Sequence, residues 1–273
     1  MAEEPAQKID RDTMPFVAPC RMLSPFAPFR WLRLGIADYR RAAQLSFAYG
    51  IFMATIIAVV VVLAWTYGSY WFMLAMLGGF VFLAPLTCIG LYAISAQIER
   101  DQEPSIAQSL GEALRRHFGN ELVFALVLLI IFMVWARAGI MVSIFFPADA
   151  NPTLRELIGY LTIGSVVGAM FAVVTFSASA FSLPMIMHRD VDSVTAIVTS
   201  INAVLRNKLA MLIWLALIML GLLIGTATLF VGLIVILPVI GYAAWHGYLE
   251  TIDASAFPRH SGGIMSTPRK RTE

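Results

Sequence analysis

No Asp, Glu, Lys or Arg occurs between residues 42 and 98, nor between 209 and 249, and this absence constrains the fold more than any motif does. Charge-free runs of that length belong in hydrocarbon, whose core of about 30 Å takes about 20 helical residues. The 57 residues of the first run would make a rod of roughly 86 Å, so the run must fold back on itself. Thr66-Tyr-Gly-Ser69 supplies the turn chemistry midway, which predicts spans near 44–65 and 70–93. A third apolar run covers 121–146 and a fourth 158–187, separated by Pro147-Ala-Asp-Ala-Asn-Pro152. The run at 209–244 is again too long for one crossing and is expected to turn near Gly225-Thr-Ala-Thr228. The reading is an all-α membrane bundle of six transmembrane helices.

Composition agrees. Hydrophobic residues make up 59% of the chain and charged ones 13%, against roughly 25% charged in soluble domains, which excludes a soluble globular protein and a disordered one. Of the 19 Lys and Arg, 17 fall in 1–45, 96–120, 185–209 and 250–273, all on one face of a six-span chain. The positive-inside rule then puts both termini in the cytoplasm. The N-terminal stretch is polar and lacks the apolar segment of a signal peptide, so it is expected to stay attached. A net charge of +2 spread along the membrane boundary excludes a nucleic-acid footprint.

Each predicted hairpin is preceded by an amphipathic segment, near 31–45, 104–118 and 192–206. The apolar stripes are Leu32, Ile36, Tyr39 and Ala43 in the first segment and Ile106, Leu110, Ala113, Leu114 and Phe118 in the second. In the third they are Val194, Ile197, Val198, Ile201 and Leu205. The second span of each hairpin carries one proline, Pro85, Pro184 and Pro238, where a helical hydrogen bond is lost and a kink is expected. Interfacial helix, straight span and kinked span thus recur three times, between an extended tail at 1–30 and a disordered basic tail at 251–273.

Four stretches resemble a bacterial family of predicted integral membrane proteins, domain-of-unknown-function family 2189. They are Gly35-Ile-Ala-Asp-Tyr-Arg40, Leu83-Ala-Pro-Leu-Thr-Cys-Ile-Gly-Leu-Tyr92, Ser182-Leu-Pro-Met-Ile-Met-His-Arg-Asp-Val-Asp192 and Pro238-Val-Ile-Gly-Tyr-Ala-Ala-Trp-His-Gly-Tyr248. The resemblance covers about 31–250 and implies an inner-membrane location and six spans, without an activity, substrate or site. Where members of the family carry a histidine shortly before the Trp, this chain has Tyr242.

The candidate intramembrane polar site is Arg137, the one charge well inside a span, with the fourth-span hydroxyls Thr175, Ser177, Ser179 and Ser182. The structural alternative is that Arg137 snorkels outward and the hydroxyls serve helix packing beside the small residues Gly164, Gly168 and Ala172. His117, His188 and His246 fall near the cytoplasmic boundary, where they cap helices or meet headgroups, and no metal or other cofactor is expected. Cys20 and Cys88 read as neither a disulfide framework nor a thiolate metal site. Tyr39, Trp65, Tyr67, Tyr70, Trp71, Trp245 and Tyr248 read as interfacial anchors.

No zinc-protease, nucleotide-binding or nucleophile-elbow motif occurs, and the chain is not expected to be an enzyme. The expected role is an accessory or scaffold subunit that contacts lipids and docks on a larger membrane assembly, for example a respiratory complex. The alternative is a transporter or channel for a small molecule or lipid. A cavity lined by Arg137 and the hydroxyls would favour transport; a bundle closed by packed apolar chains would favour the accessory role.

Overall fold

The computed structural model describes residues 15–67, 87–105, 118–142, 144 and 153–258, and among them the chain is all-helical. Nine helices follow in order: α1 (Ala27–Arg41), α2 (Ala43–Tyr67), α3 (Ile89–Glu99), α4 (Phe118–Val142), α5 (Leu154–Ser179), α6 (Ser182–His188), α7 (Ser193–Arg206), α8 (Lys208–Ala227) and α9 (Leu233–Thr251). Five stretches are long and apolar enough to cross a membrane: Ala43–Leu63, Gly119–Val142, Ile158–His188, Lys208–Ala227 and Leu233–Thr251. The expected span at 70–93 lies mostly outside the described residues, with Tyr70, Trp71 and Pro85; so do most of the 104–118 segment and the break at 147–152. An ion pair between Arg41 and Asp101, at 2.9 Å, sets the end of α3 beside the start of α2. The chain has therefore returned to the level at which α2 began, as the six-span reading requires.

α1 packs against α9, and α2 continues along the same helix. Close approach is licensed by glycine: a Cβ on Gly35 would stand 2.6 Å from the carbonyl oxygen of Val239, and one on Gly50 would collide with the backbone of Ile234. At the other end Gly247 lies under the indole of Trp31. Trp31 meets Trp214 of α8 edge-on at 5.7 Å and Phe181 at 6.3 Å, and all three rings are buried. This aromatic nucleus, with Phe124, Leu128, Met185, Trp245 and Tyr248, forms the main core. α4 and α5 turn most of their surface outward, with Leu126, Met133, Ile140, Val166 and Met170 among many exposed apolar chains.

The buried faces of α1 and α7 are not simply their apolar stripes. In α1 the buried face is Ala27, Pro28, Trp31, Gly35 and Asp38, while Ile36 is exposed. In α7 it is Ala196, Thr199, Ser200, Ala203 and Val204, and Val194 and Leu205 point outward. Small and hydroxyl-bearing residues allow tight helix contact with hydrogen bonds across it, whereas lipid accepts the large aliphatic chains as readily as a core does. The start of α7 follows the sequence: Asp192 caps it by accepting from Thr195 N at 2.9 Å.

The last hairpin turns at 228–232, beginning at the last residue of the expected Gly225-Thr-Ala-Thr228 stretch. Helix α8 runs through Gly225, whose missing side chain makes room for Leu233, and the reversal is made by Leu229 (φ 52°) and Phe230 (φ 69°) in the left-handed region. Thr228 Oγ1 braces it, accepting from Gly232 N at 2.9 Å. Pro184 lies in the first turn of α6, just after a two-residue break at Ala180–Phe181, and Pro238 lies inside α9.

The stretch before α1 is held in place. Arg21 N donates to Thr251 O (2.8 Å) and Asp253 N to Pro19 O (2.9 Å), a short antiparallel bridge of Cys20 with Ile252 that puts the two tails side by side. Ala18 N donates to Thr199 Oγ1 at 3.1 Å. On the other side Asp190 N donates to Pro258 O at 3.0 Å and Arg189 to Phe257 O at 2.8 Å, which ties residues 257–258 to the α6–α7 junction.

Candidate functional site

The residues of the predicted intramembrane site do not converge. Thr175, Ser177, Ser179 and Ser182 are buried where α5 and α6 meet α7. Their hydrogen bonds join helices: Ser182 Oγ donates to Ala178 O and, at 3.2 Å, to Ala196 O, while Ser200 Oγ donates to Ser177 O at 2.8 Å and accepts from Phe181 N at 3.1 Å. Phe181 N is freed by the break at Ala180–Phe181, so Ser200 satisfies a backbone donor that the interrupted helix cannot. Thr175 Oγ1 is buried without a hydrogen-bond partner. Arg137 is exposed on α4, apart from these hydroxyls.

A denser polar assembly surrounds α9. Successive helical residues turn by about 100°, so Tyr242, Trp245, His246 and Tyr248 fan over roughly 160° of the helix surface, and each finds a polar group on a different helix. Tyr242 hydroxyl and Ser46 Oγ of α2 lie 2.7 Å apart. Trp245 Nε1 donates to Glu99 of α3 at 3.4 Å. His246 Nε2 bonds Asp38 Oδ2 of α1 at 2.8 Å. Tyr248 hydroxyl meets His188 Nδ1 of α6 at 2.9 Å. One turn on, Glu250 accepts from Trp31 Nε1 at 2.9 Å and from Arg30 Nε at 3.1 Å.

Asp38 is the most demanding member, a carboxylate whose side chain is only 10% exposed. Oδ2 accepts from Ser95 Oγ as well as from His246, so α1, α3 and α9 meet on one oxygen. A buried carboxylate is tolerated only with such partners. The order of the three groups matters chemically. In a nucleophilic triad the imidazole stands between hydroxyl and carboxylate and takes the hydroxyl proton. Here the carboxylate stands in the middle, and the hydroxyl of Ser95 has no imidazole to activate it.

The histidines likewise stay apart, His188 on Tyr248 and His246 on Asp38, and among the described residues no group of three metal-ligating side chains forms. His117 lies outside the described residues. Burial pushes the Cys20 thiol up from its ordinary pKa, against smaller opposing effects of Asn202 and Arg206, so it stays a protonated packing group.

Sequence reasoning missed Asp38, Ser95 and Glu99. It set Asp38 with Arg33 and Arg40 on the outward face because a charged side chain ordinarily belongs there. The available signal was Gly35, three residues earlier: a helical glycine costs stability unless another backbone passes close, and the face that carries it also carries Asp38.

Residues 72–188 match the model of a family described as predicted integral membrane protein (DUF2189), the family that the sequence motifs resemble. The motif at 83–92 and the first part of that at 182–192 lie inside that stretch; those at 35–40 and 238–248, which supply Asp38 and the α9 assembly, lie beyond it. No curated protein and no solved structure matches the chain. With five described helices of crossing length, the family match identifies a multi-pass integral membrane protein.

Proposed function

We propose that this multi-pass integral membrane protein is a non-catalytic accessory or scaffold subunit of a larger assembly in a bacterial inner membrane, with both tails in the cytoplasm. The observation that carries the reading is the separation of Arg137 from the hydroxyls of the fourth span. A transport path needs polar groups gathered toward the bundle centre at membrane depth. Instead Ser182 and Ser200 bond to backbone across helix contacts, the centre is filled by Trp31, Trp214, Phe181 and Met185, and Arg137 looks outward.

α4 and α5 are suited to meet a partner. Arg137 lies five residues before the end of α4 at Val142, about 8 Å along the axis, so its guanidinium can serve a headgroup or an acidic group of another protein. The N-terminal segment is the poorer docking element, because Ala18, Cys20 and Trp31 are integral to the core.

The test is purification from the native membrane in a mild detergent, with mass spectrometry of stoichiometric companions, for wild type and Arg137→Leu. A constant companion that Arg137→Leu loses, while its Tm stays within about 2 °C of wild type, supports the reading, since a surface substitution typically moves stability by at most about 0.5 kcal/mol. A chain that purifies alone with a retained small molecule overturns it and makes transport the working reading.

A further inference from the structure

Asn207, the residue between α7 and α8, clamps the N-terminal segment. Its Oδ1 accepts from Leu23 N at 2.8 Å and its Nδ2 donates to Arg21 O at 3.0 Å. This sets Arg21 beside Arg206 and Lys208, the two residues flanking Asn207, and all three are exposed. Arg206 and Lys208 form no ion pair among the described residues. The acidic group nearby is Asp253, which interacts with Arg21 and whose carboxyl the Ser255 hydrogen bonds hold below its ordinary range. Three exposed cations thus gather at the foot of α8, and Asp253 answers Arg21 and, beyond them, Arg189.

Above this foot the outward surface is apolar. Leu209, Leu212, Ala216, Met219 and Leu223 are exposed at steps of three and four residues, one continuous row up α8. The row climbs roughly 21 Å, enough to line the half-thickness of about 15 Å that one leaflet occupies. Met22 and Phe26, both largely exposed, lie on the segment that carries Arg21.

We propose that the foot of α8 binds one anionic phospholipid, its phosphate held by Arg206, Lys208 and Arg21 and an acyl chain lying along Leu209, Leu212 and Ala216. The two-part character of the surface selects this occupant. An acidic peptide would satisfy the cations and leave the row uncovered, and a zwitterionic lipid would cover the row without neutralising the cations. Attraction of a basic side chain to an anionic headgroup is strongest within a Debye length, which places the charge-reading step at Lys208, where α8 leaves the basic end. The proposal stands whether or not the chain is an accessory subunit.

The experiment is a native mass-spectrometry titration of the full chain in mild detergent, with dioleoylphosphatidylglycerol and, separately, dioleoylphosphatidylcholine. Wild type is expected to take up the first phosphatidylglycerol at least tenfold more tightly than phosphatidylcholine. Each removed cation weakens the headgroup contact by about fivefold, so Arg206→Gln with Lys208→Gln is expected to lose roughly thirtyfold for phosphatidylglycerol and to leave phosphatidylcholine unchanged. The control is Arg33→Gln with Arg40→Gln, which removes equal charge from the exposed face of α1 and should leave the affinity within about twofold. Equal binding of the two lipids by wild type overturns the proposal. So does an unchanged affinity in the α8 variant, or an equal loss in the control. If the double variant does not fold, Arg206→Gln alone decides, by a loss of about fivefold or none.

Discussion

Replacing Asp38 by Ala tests whether the carboxylate shared by α1, α3 and α9 holds the bundle together. The side chains of Asp38 and His246 are 10% and 15% exposed, so solvent cannot substitute for the lost acceptor. The substitution leaves the Ser95 hydroxyl and the His246 imidazole without their shared acceptor. A buried donor left unpaired costs about 1–3 kcal/mol, so two of them cost about 2–6 kcal/mol. The expected loss is therefore about 4 kcal/mol. For a chain of this size that corresponds to a drop in Tm of roughly 8–16 °C, read by tryptophan fluorescence or circular dichroism on protein in mild detergent. Asp38→Asn keeps an oxygen for Ser95 and should lose about half as much. His246→Ala in the Asp38→Ala background should cost less than in wild type, because the two residues act as a pair. A Tm for Asp38→Ala within about 2 °C of wild type would refute the reasoning, since it would mean that the carboxylate is hydrated and the three-helix junction is not closed.

Two further outcomes are expected. Gly35→Ala gains up to about 1 kcal/mol of helix propensity but forces its methyl against the carbonyl oxygen of Val239, an overpacking cost of about 1–3 kcal/mol, so it should lower Tm. Gly168→Ala, where a Cβ meets nothing within 4 Å, should leave Tm unchanged or raise it; the same assay checks both, and the reverse order would contradict the packing of α1 on α9. Cys20, a buried thiol with its pKa raised, should react with iodoacetamide at pH 8 at least about tenfold more slowly in the folded chain than in denaturant, as peptide mapping would show. Equal rates would mean that the N-terminal segment lifts off freely.

The spans were legible because hydropathy is a one-dimensional property: a charge-free run of known length fixes how often the chain can cross, whatever it packs against. Faces were not legible in the same way. In water a helix buries its large apolar residues, a rule that would take Ile36 of α1 and Val194 and Leu205 of α7 inside, where the structure leaves them exposed. In lipid both sides of a helix can be apolar, and what distinguishes the buried side is closeness, marked by Gly35 in α1 and by Ala196, Thr199, Ser200 and Ala203 in α7. The turn near Gly225-Thr-Ala-Thr228 was legible to within a few residues; what Gly225 itself does, making room for Leu233, was not. The polar site was displaced by a similar default. Arg137 drew notice as the charge within a span, yet a charge near a helix end can reach headgroup depth unaided, whereas Asp38 needs His246 and Ser95 to be buried at all.

The placement of these partners along the chain has a consequence for assembly. Ser46, Asp38, Glu99 and His188 belong to α2, α1, α3 and α6, and every one of them is answered by a residue of α9 between Tyr242 and Tyr248. The last helix thus carries the groups that complete four earlier ones, at sequence separations of 60 to 208 residues. Until α9 arrives, Asp38 has only Ser95 of these partners, and a carboxylate so situated stays hydrated at the membrane boundary rather than entering a core. Insertion of the spans can proceed helix by helix on hydropathy alone, but closure of the basic end cannot. The polar residues that looked like scattered rim groups in the sequence are therefore best understood as a single latch, which fixes the mutual register of helices that lipid by itself would leave free to slide.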